Sequence, residues 1–347
     1  MVEGREKAEP VLDEVERRPT IRDIARIAQV SPGAVSLALN NKRGVSEQTR
    51  ERVAAVASSM GWTASVAARA LSSSKASAIG LVLARPRASL DAERFYFQFI
   101  CGVESVLTAH NQALVLQMVE DISEEVDVLR AWHGQRRVDG AILVDPRQED
   151  PRPGVLRQLR LPFVTVGTHF AGGGAVLIDD TAMIASALEH LAGRGRRRVA
   201  YVCGFGNLQH TNRRQRAFLQ CGEELGVETV LSNPTDYSER SGAEETTRLM
   251  AGSNPPDSFI FDNEILTLGG LSAVVGLGLR IPDDLSFLSL EDSPVCRVVT
   301  PQITAFLRDP SLLGGAAARL LLAEGGDLPD RVERLERPQL AVRSSTR

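Results

Sequence analysis

The chain has 347 residues, of which 43% are hydrophobic and 24% charged, with a net charge of −4. This length exceeds one ordinary domain and suffices for two or three, and the composition is that of a globular protein. The sequence has no run of 18 apolar residues and its first ten residues are rich in charge, so we expect no membrane span, no signal peptide and a cytoplasmic protein. The four cysteines are widely spaced and have no histidine at metal-ligand spacing, which indicates free thiols and no metal site.

The charge is distributed unevenly along the chain. Residues 20–70 carry seven basic and three acidic side chains, a net charge of +4, whereas residues 1–19 carry −2 and residues 71–347 carry −6. A basic head on an acidic body is typical of a DNA-binding segment followed by a separate sensing domain. Because residues 1–19 are net acidic, we expect a disordered, solvated tail there and not a DNA-binding arm.

Three short helices are predicted in residues 20–61, each with its own start signal. Thr20 precedes an apolar stripe of helical period and forms a capping-box pattern with Asp23. Ser31, followed by a proline, begins the second helix, and Ser46 begins a third that Gly61 ends. Two small helices joined by a tight turn and closed by a third form the helix-turn-helix plan, whose second helix enters the major groove of DNA.

These segments resemble the head of lactose-repressor (LacI/GalR) family regulators. The resemblance rests on three blocks in this order, D-I-A-x-x-A-x-V-S-x-x-x-V-S-x-x-L-N-N, V-S-E-x-T-R-x-R-V and A-x-R-x-L. It implies a helix-turn-helix domain over 20–64, a hinge helix and linker over 65–76 and an effector-binding and dimerisation body over 77–345. The expected fold is an all-α helix-turn-helix head plus an α/β periplasmic-binding-protein-like body of two parallel-sheet lobes.

The resemblance also assigns DNA contacts. The positions that match phosphate contacts, which set register without reading sequence, are Thr20, Arg22, Ser31, Ser36 and Asn40. The base-reading positions are Pro32, Gly33 and Leu37. Many relatives carry arginine at the position of Leu37, which can make only apolar contact, for example with a thymine methyl group, and Gly33 has no side chain. We therefore expect weaker direct readout and more dependence on DNA shape.

An alternative for Leu37 is a place in the core of the head. The predicted inner face of the second helix is, however, already filled by Val35, Ala38 and Leu39. Further along, Ala68 and Leu71 match the family's hinge helix, in which a leucine wedges between central base pairs in the minor groove. The alternative for Leu71 is packing against the body as part of a linker.

From residue 77 onward, short buried strands alternate with helices, which predicts parallel βαβ units. Predicted strands lie at 79–83, 113–117, 138–144, 163–167 and 175–179, and the pattern then restarts with strands at 199–203, 229–231, 258–261 and 285–290. Predicted helices lie at 95–110, 123–135, 181–191, 211–225, 238–251 and 264–276. Two successive α/β halves indicate two lobes with a cleft, a natural place for a small molecule.

The resemblance assigns effector-binding residues to this cleft. They are the aromatic residues Phe95, Tyr96 and Tyr237, the arginine Arg214, and the polar residues Asn263, Glu264 and Glu291, with Asp145 and His169 as weaker additions. Carboxylates and an amide facing an arginine between aromatic rings suit a polyhydroxylated, sugar-like ligand. For each residue the alternative is a surface or structural polar role. Glutamate replaces the family's aspartate at 264 and 291, which narrows the pocket.

Catalysis is poorly supported by the sequence. It has no phosphate-binding loop, nucleophile elbow or metal-ligand cluster, and the adjacent carboxylates Glu291 and Asp292 would point to opposite sides of a strand end. We therefore expect no enzyme and no cofactor. Three functions stay open: a ligand-responsive repressor that binds double-stranded inverted-repeat operator DNA as a homodimer, a sugar-binding protein, and an effector-independent architectural DNA-binding protein. Only the first accounts for both head and body.

Overall fold

The computed structural model describes residues 19–39, 42–62, 75–86, 94–323 and 331–347. Its internal contacts divide the chain into two compact units, Met1–Ser74, the head, and Lys75–Arg347, the body. The predicted hinge helix with Ala68 and Leu71, and the predicted phosphate contact Asn40, lie outside the described residues. Within the described ranges, no helix is both long and apolar enough to cross a membrane.

The head begins each helix as the sequence predicts. Its described helices are α1 (Ile21–Ala28), α2 (Pro32–Leu39) and α3 (Glu47–Ser59). The capping box is present, because the Thr20 amide donates to Asp23 Oδ2 over 2.9 Å and the Asp23 amide donates to Thr20 Oγ1 over 3.4 Å. Ser31 Oγ accepts from the Ala34 amide at 3.1 Å, and Ser46 Oγ caps α3. These bonds satisfy amides that a helix start leaves without a partner.

The core of the head joins the inner faces of all three helices. It consists of the buried residues Ile24, Ala25, Ala28, Val35, Ala38, Val53 and Ala57. Leu39, predicted to be buried, is half-buried and packs against this core, because it ends α2 at the edge of the small domain. Leu37 is half-buried and is not among the residues of the core.

The body consists of two α/β lobes. The first lobe opens with β1 (Ala78–Ala84), α4 (Arg94–Ala109), β2 (Ala113–Val119), α5 (Ile122–Gly134), β3 (Gly140–Leu143), α6 (Arg152–Leu159), β4 (Phe163–Val166) and β5 (Gly174–Leu177). The second lobe follows with α7 (Asp180–Gly193), β6 (Arg198–Val202), α8 (Gln209–Leu225), β7 (Glu228–Leu231), α9 (Glu239–Met250), β8 (Ser258–Phe261), α10 (Glu264–Gly276), β9 (Ser286–Ser289), α11 (Pro294–Val298) and β10 (Thr304–Leu307). The chain ends with α12 (Pro310–Leu322), β11 (Val332–Arg334), β12 (Gln339–Ala341) and a 3₁₀ turn at Ser344–Thr346.

Each lobe has one twisted sheet covered by helices on both faces. Among the described residues, the strand order is β11-β5-β4-β3-β1-β2 in the first lobe and β12-β10-β9-β8-β6-β7 in the second. All pairs are parallel except β10 with β12. Alternate residues of β1 face different cores, since Leu81 packs with α4 and α12 whereas Val82 packs with α5. The predicted two-lobed, parallel-sheet architecture is confirmed.

The last part of the chain does not follow the simple succession of two halves. After β10, helix α12 returns to the first lobe, where Leu313 and Leu321 join its core, and β11 then pairs with β5. Strand β12 finally completes the second sheet. Among the described residues the chain therefore crosses between the lobes three times, and α12 covers the face of the first sheet beside α4. Helix α6 was also not predicted, since its segment contains a proline and a glycine and has a weak apolar pattern.

Candidate functional site

A cavity of about 80 Å³ lies between the two lobes, at the carboxyl ends of their parallel strands. Seven of the nine residues predicted for effector binding line it: Phe95, Tyr96, Asp145, Arg214, Tyr237, Asn263 and Glu291. The structure adds lining residues that sequence reasoning missed, among them Arg85, Asp180, His210, Arg213, Asp262 and Arg308. We call this space the cleft cavity.

Two of the predicted residues lie elsewhere. His169 lies in the loop after β4, is exposed, and lines a separate surface depression. Glu264 is the first residue of α10 and is buried, with 5% of its surface exposed, but it is not among the residues that line the cleft cavity. Burial and the neighbouring Glu291 raise the pKa of Glu264 to about 8.

The first lobe contributes an ion pair between two strand ends. Arg85 directly follows β1 and donates through Nε to Asp145 Oδ2 at 2.7 Å, while Tyr96 Oη donates to the same carboxylate. Burial alone would raise the pKa of Asp145, but the Arg85 guanidinium holds it below its ordinary value. Arg85 Cζ lies 4.9 Å from the ring centroid of Phe205 and 5.1 Å from that of Tyr237, both in the second lobe. Arg85 therefore stacks across the cleft on aromatic faces.

The second lobe contributes a buried cluster centred on Arg214, on α8. Its Nε donates to Asp180 Oδ1 at 2.9 Å and its Nη1 to Asp262 Oδ1 at 2.7 Å. Asp262 also accepts hydrogen bonds from Tyr201 Oη at 2.5 Å and Tyr237 Oη at 2.8 Å. The predicted cleft arginine is thus held by two carboxylates of the protein.

The ionisation of this cluster follows from its surroundings. Burial opposes ionisation of Asp262, yet Arg214, His210 and the two tyrosine hydroxyls together lower its pKa to about 2. Burial and the positive charge of Arg214 lower the pKa of His210 to about 4, so its ring is neutral at pH 7. His210 Nε2 lies 3.1 Å from Tyr237 Oη.

Two site residues adopt a left-handed backbone conformation that favours glycine. Asp145 has φ 51° and Tyr237 has φ 64°. Such conformations cost free energy in residues with a side chain and concentrate at functional sites. Both residues line the cleft cavity.

The loop after β3 joins the lobes through main-chain contacts. The Gln209 amide donates to the Pro146 carbonyl at 2.8 Å, Gln209 Nε2 donates to the Arg147 carbonyl at 2.8 Å, and Arg147 forms an isolated antiparallel bridge with Leu208.

A second cavity, of about 370 Å³, lies among the three crossover segments and shares Phe95, Ile178, Arg308 and Leu313 with the first. We call it the hinge cavity.

The missed residues share a position that the sequence does display. Asp180 follows β5, Asp262 follows β8, and Arg308 follows β10, so all three sit where parallel strands end. The strands before Asp180 and Asp262 are among the predicted strands, whereas no strand is predicted over 304–307, before Arg308. The position after a strand was the available signal.

The predicted DNA-contacting residues of the head lie mainly at its surface. Arg22, Ser31, Pro32 and Gly33 are exposed, and Thr20, Ser36 and Leu37 are half-buried. The Thr20 hydroxyl donates to Asp23 at 2.6 Å and thereby also holds the start of α1.

Comparison with known proteins agrees with both units. Residues 20–65 match the family of bacterial regulatory proteins, lacI family, and residues 188–346 match the periplasmic binding protein-like domain. A LacI family transcriptional regulator from Bifidobacterium animalis subsp. lactis is 30% identical, with 78% of this chain and 98% of that chain covered and a TM-score of 0.71. The complex of the regulator CelR with cellobiose is 24% identical, covers 94% and 100%, and has a TM-score of 0.71.

The lac repressor dimer bound to operator and the anti-inducer ONPF has the same fold. Its identity is 19%, its TM-score is 0.82, and the comparison covers 95% of this chain and 99% of that chain. The family of the chain follows from the two family matches together with the 30% identity to the Bifidobacterium regulator. The chain belongs to the LacI family of bacterial regulatory proteins and is a DNA-binding transcriptional regulator.

Proposed function

We propose that the protein is a ligand-responsive repressor that binds an inverted-repeat operator as a homodimer and a small sugar-like effector between its lobes. The observation that carries the DNA-binding part is the head itself. Its three capped helices pack on one core, and Pro32 and Gly33 stand exposed at the start of the second helix. This is the helix that reads base edges in helix-turn-helix proteins.

In this proposal the DNA phosphates are bound by five residues of the head, the exposed Arg22 and Ser31 together with Thr20, Ser36 and Asn40. Pro32, Gly33 and Leu37 face the bases, and Ala68 and Leu71 enter the minor groove between the two half-sites. The solved lac repressor, whose fold this chain shares, is a dimer bound to operator, which supports the dimeric arrangement.

The effector part of the proposal is supported by the chemistry of the cleft cavity. Aromatic rings of Phe95, Tyr96 and Tyr237 lie beside charged and amide groups, which suits the mixed apolar and hydroxylated surface of a sugar. The solved relative CelR binds cellobiose. Three chain crossings connect the lobes, so a ligand that changes the angle between the lobes changes the geometry of the body. The coupling free energy between effector binding and operator binding in allosteric proteins is typically about 1–3 kcal/mol.

The test begins with selection of bound sequences from random DNA by the full-length protein, followed by anisotropy titrations on the selected duplex. An inverted repeat is expected. Arg22→Ala should weaken binding on all sequences and lower the slope of log affinity against log salt by about 2, since a dimer loses two phosphate contacts. Arg130→Ala, which removes an exposed arginine from the body, is the control. Identical slopes for both variants would contradict the proposed contact.

Leu71→Ala separates specific from non-specific binding. A wedge between base pairs contributes only on a duplex that bends at the central step, so specific affinity should fall far more than affinity for random DNA. Equal losses on both would remove the wedge from the proposal.

An effector-independent DNA-binding protein is the second candidate. It is favoured by the contacts that join the lobes through the chain's own groups, namely Arg85 on the ring of Tyr237 and the bridge between Arg147 and Leu208. Operator titrations in the presence of candidate sugars distinguish the two, because only the first candidate predicts a change in operator affinity.

A further inference from the structure

The arginines that face the cleft cavity are not all neutralised. Arg85 is paired with Asp145, and both Arg213 and Arg214 are paired with Asp180, which leaves these groups with internal partners. Arg308 differs. Among the described residues, its side chain has no ion pair and no hydrogen bond, and its Nε is buried without a partner. Burying part of a guanidinium without an acceptor costs free energy that a bound acceptor would recover.

Arg308 is placed to reach a ligand in the cleft cavity. It sits in the crossover between β10 and α12, lines both the cleft cavity and the hinge cavity, and has its Cζ 5.9 Å from the ring centroid of Phe95. The start of α12 is already capped, because Asp309 Oδ1 accepts from the Ser311 amide at 2.9 Å. The guanidinium, and not the helix terminus, is therefore the available donor.

Asp180 and Glu291 interact electrostatically with Arg308, but among the described residues neither forms an ion pair with it. Asp180 is held by Arg213 and Arg214, with Arg214 Nε at 2.9 Å. Glu291 also faces the cleft cavity, but no ion pair of 4.0 Å or less joins it to Arg308 among the described residues. Burial raises the pKa of Glu291, although Arg308 and Arg214 oppose this shift, and a raised pKa disfavours the charged form. The unpaired guanidinium therefore adds positive charge to this side of the cavity.

A second donor in the same cavity lacks a partner. Asn263 is 2% exposed, and its Oδ1 caps α10 by accepting from the Leu266 amide at 2.9 Å. This cap fixes the orientation of the amide, so Nδ2 is the free end, and Nδ2 is buried without a hydrogen-bond partner among the described residues. Two unpaired donors, one of them charged, favour a ligand that presents acceptors with negative charge.

We propose that the effector carries an anionic group, a carboxylate or a phosphate, that Arg308 binds. This inference rests on the proposed function and narrows its effector from a neutral sugar to a sugar acid or a sugar phosphate. Arg308 supplies planar N–H donors that match carboxylate and phosphate oxygens, and Asn263 supplies a further donor. Glu291 and the aromatic rings bind the hydroxylated body of the ligand.

The experiment is calorimetric titration of the full-length protein with matched pairs of compounds at constant ionic strength. D-glucuronate is compared with D-glucose, D-galacturonate with D-galactose, and glucose 6-phosphate with D-glucose. At least one anionic member should bind at least about tenfold more tightly than its neutral counterpart, as expected for a charge-assisted hydrogen bond. The carboxylate and phosphate arms identify which anion is recognised.

Two variants locate the anion. Arg308→Gln should weaken binding of the anionic compound at least about tenfold and leave neutral sugars unaffected, whereas Arg308→Lys should retain part of the preference. Arg319→Gln is the matched control, because Arg319 lines the hinge cavity but not the cleft cavity, and it should change affinity less than twofold. Thermal melting of each ligand-free variant checks that folding is intact.

Opposite outcomes are clear. The inference would be overturned by a neutral sugar that binds as tightly as its acid or phosphate, with the same affinity for Arg308→Gln as for the unaltered protein. If that neutral sugar alters operator affinity, the proposed function stays in place. Silence with all five compounds would overturn the inference as well, since they represent the class it names. Failure of the protein to select any DNA sequence would instead overturn the proposed function.

Discussion

The clearest prediction concerns Arg214, which the family resemblance assigns to the effector and the structure places between two buried carboxylates. Asp262 is fully buried within this cluster and Arg214 is the cation paired with it, at 2.7 Å. Arg214→Ala leaves the Asp262 carboxylate with two tyrosine hydroxyls, the Gly204 amide and no guanidinium. Removing one partner of a buried ion pair typically costs about 3–5 kcal/mol, because the other charge stays buried and uncompensated.

Arg213 provides the matched control on the same helix. Its side chain is 29% exposed and pairs with Asp180, which keeps Arg214 as a partner when Arg213 is removed. Arg213→Ala should therefore cost no more than about 1 kcal/mol, as for other solvent-accessible ion pairs. The difference between the two variants measures the effect of burial, since the residue type and the change are the same.

The assay is thermal and urea denaturation of the full-length protein at pH 7, followed by circular dichroism. At roughly 2–4 °C per kcal/mol for proteins of about 150–250 residues, Arg214→Ala should lower the melting temperature by roughly 10 °C. Adding Asp262→Asn to Arg214→Ala should recover part of the loss, because it removes the uncompensated charge. A cost below about 1 kcal/mol for Arg214→Ala, or equal costs for both arginines, would refute this reasoning.

This prediction also changes how effector experiments should be interpreted. Loss of effector binding in Arg214→Ala would follow from disruption of the ionic cluster whether or not Arg214 touches the ligand. Arg308 and Asn263 have no such structural ion pair, so substitutions there report on the ligand more directly.

Three further predictions concern pH, helix packing and the head. Burial raises the pKa of Glu264 to about 8, so its contribution to stability is present below pH 4.5 and is lost as pH rises through 8. Glu264→Gln should therefore make the decline in unfolding free energy between pH 5 and 8 shallower by up to about 1.4 kcal/mol per pH unit. Urea titrations in which the unfolding free energy of both proteins declines equally steeply with pH would contradict this. A Cβ atom on Gly102 would lie 1.9 Å from the Ser311 carbonyl oxygen, so Gly102→Ala should lower the melting temperature sharply. The control is Gly134→Ala, where an added Cβ atom would meet no neighbouring atom within 4 Å, and it should be neutral or stabilising by up to about 1 kcal/mol. Similar melting temperatures for both alanine variants would argue against the close contact between α4 and α12. Val35→Ala truncates a fully buried side chain in the core of the head and should lower the stability of the head by about 2 kcal/mol. Operator binding should weaken in anisotropy titrations, whereas effector affinity measured by calorimetry should stay the same. Unchanged operator binding would contradict this prediction.

The features that the sequence predicted well depend on contacts between near neighbours in the chain. Thr20, Ser31 and Ser46 begin helices because each side chain accepts from an amide three residues ahead, and that geometry is complete within one turn. The alternation of buried strands with helices predicted parallel sheets for the same reason, since the period of apolar residues is local. Family resemblance added the DNA-contact positions of the head, which stay predictions, and most of the residues that line the cleft cavity.

The features that only the tertiary structure decided depend on segments far apart in the chain. The return of α12 to the first lobe brings Leu313 against residues of β1, and nothing in the local pattern of α12 distinguishes the two lobes. Similarly, Asp180, Arg214 and Asp262 are ordinary charged residues in sequence and become a buried cluster because three elements of the second lobe meet at their ends.

Arg308 shows both sides of this division. Its place after a strand is a local feature that sequence reasoning could have used, had the strand over 304–307 been predicted. Its lack of an ion pair could not have been foreseen, because whether a charge is neutralised depends on which distant side chains fold beside it.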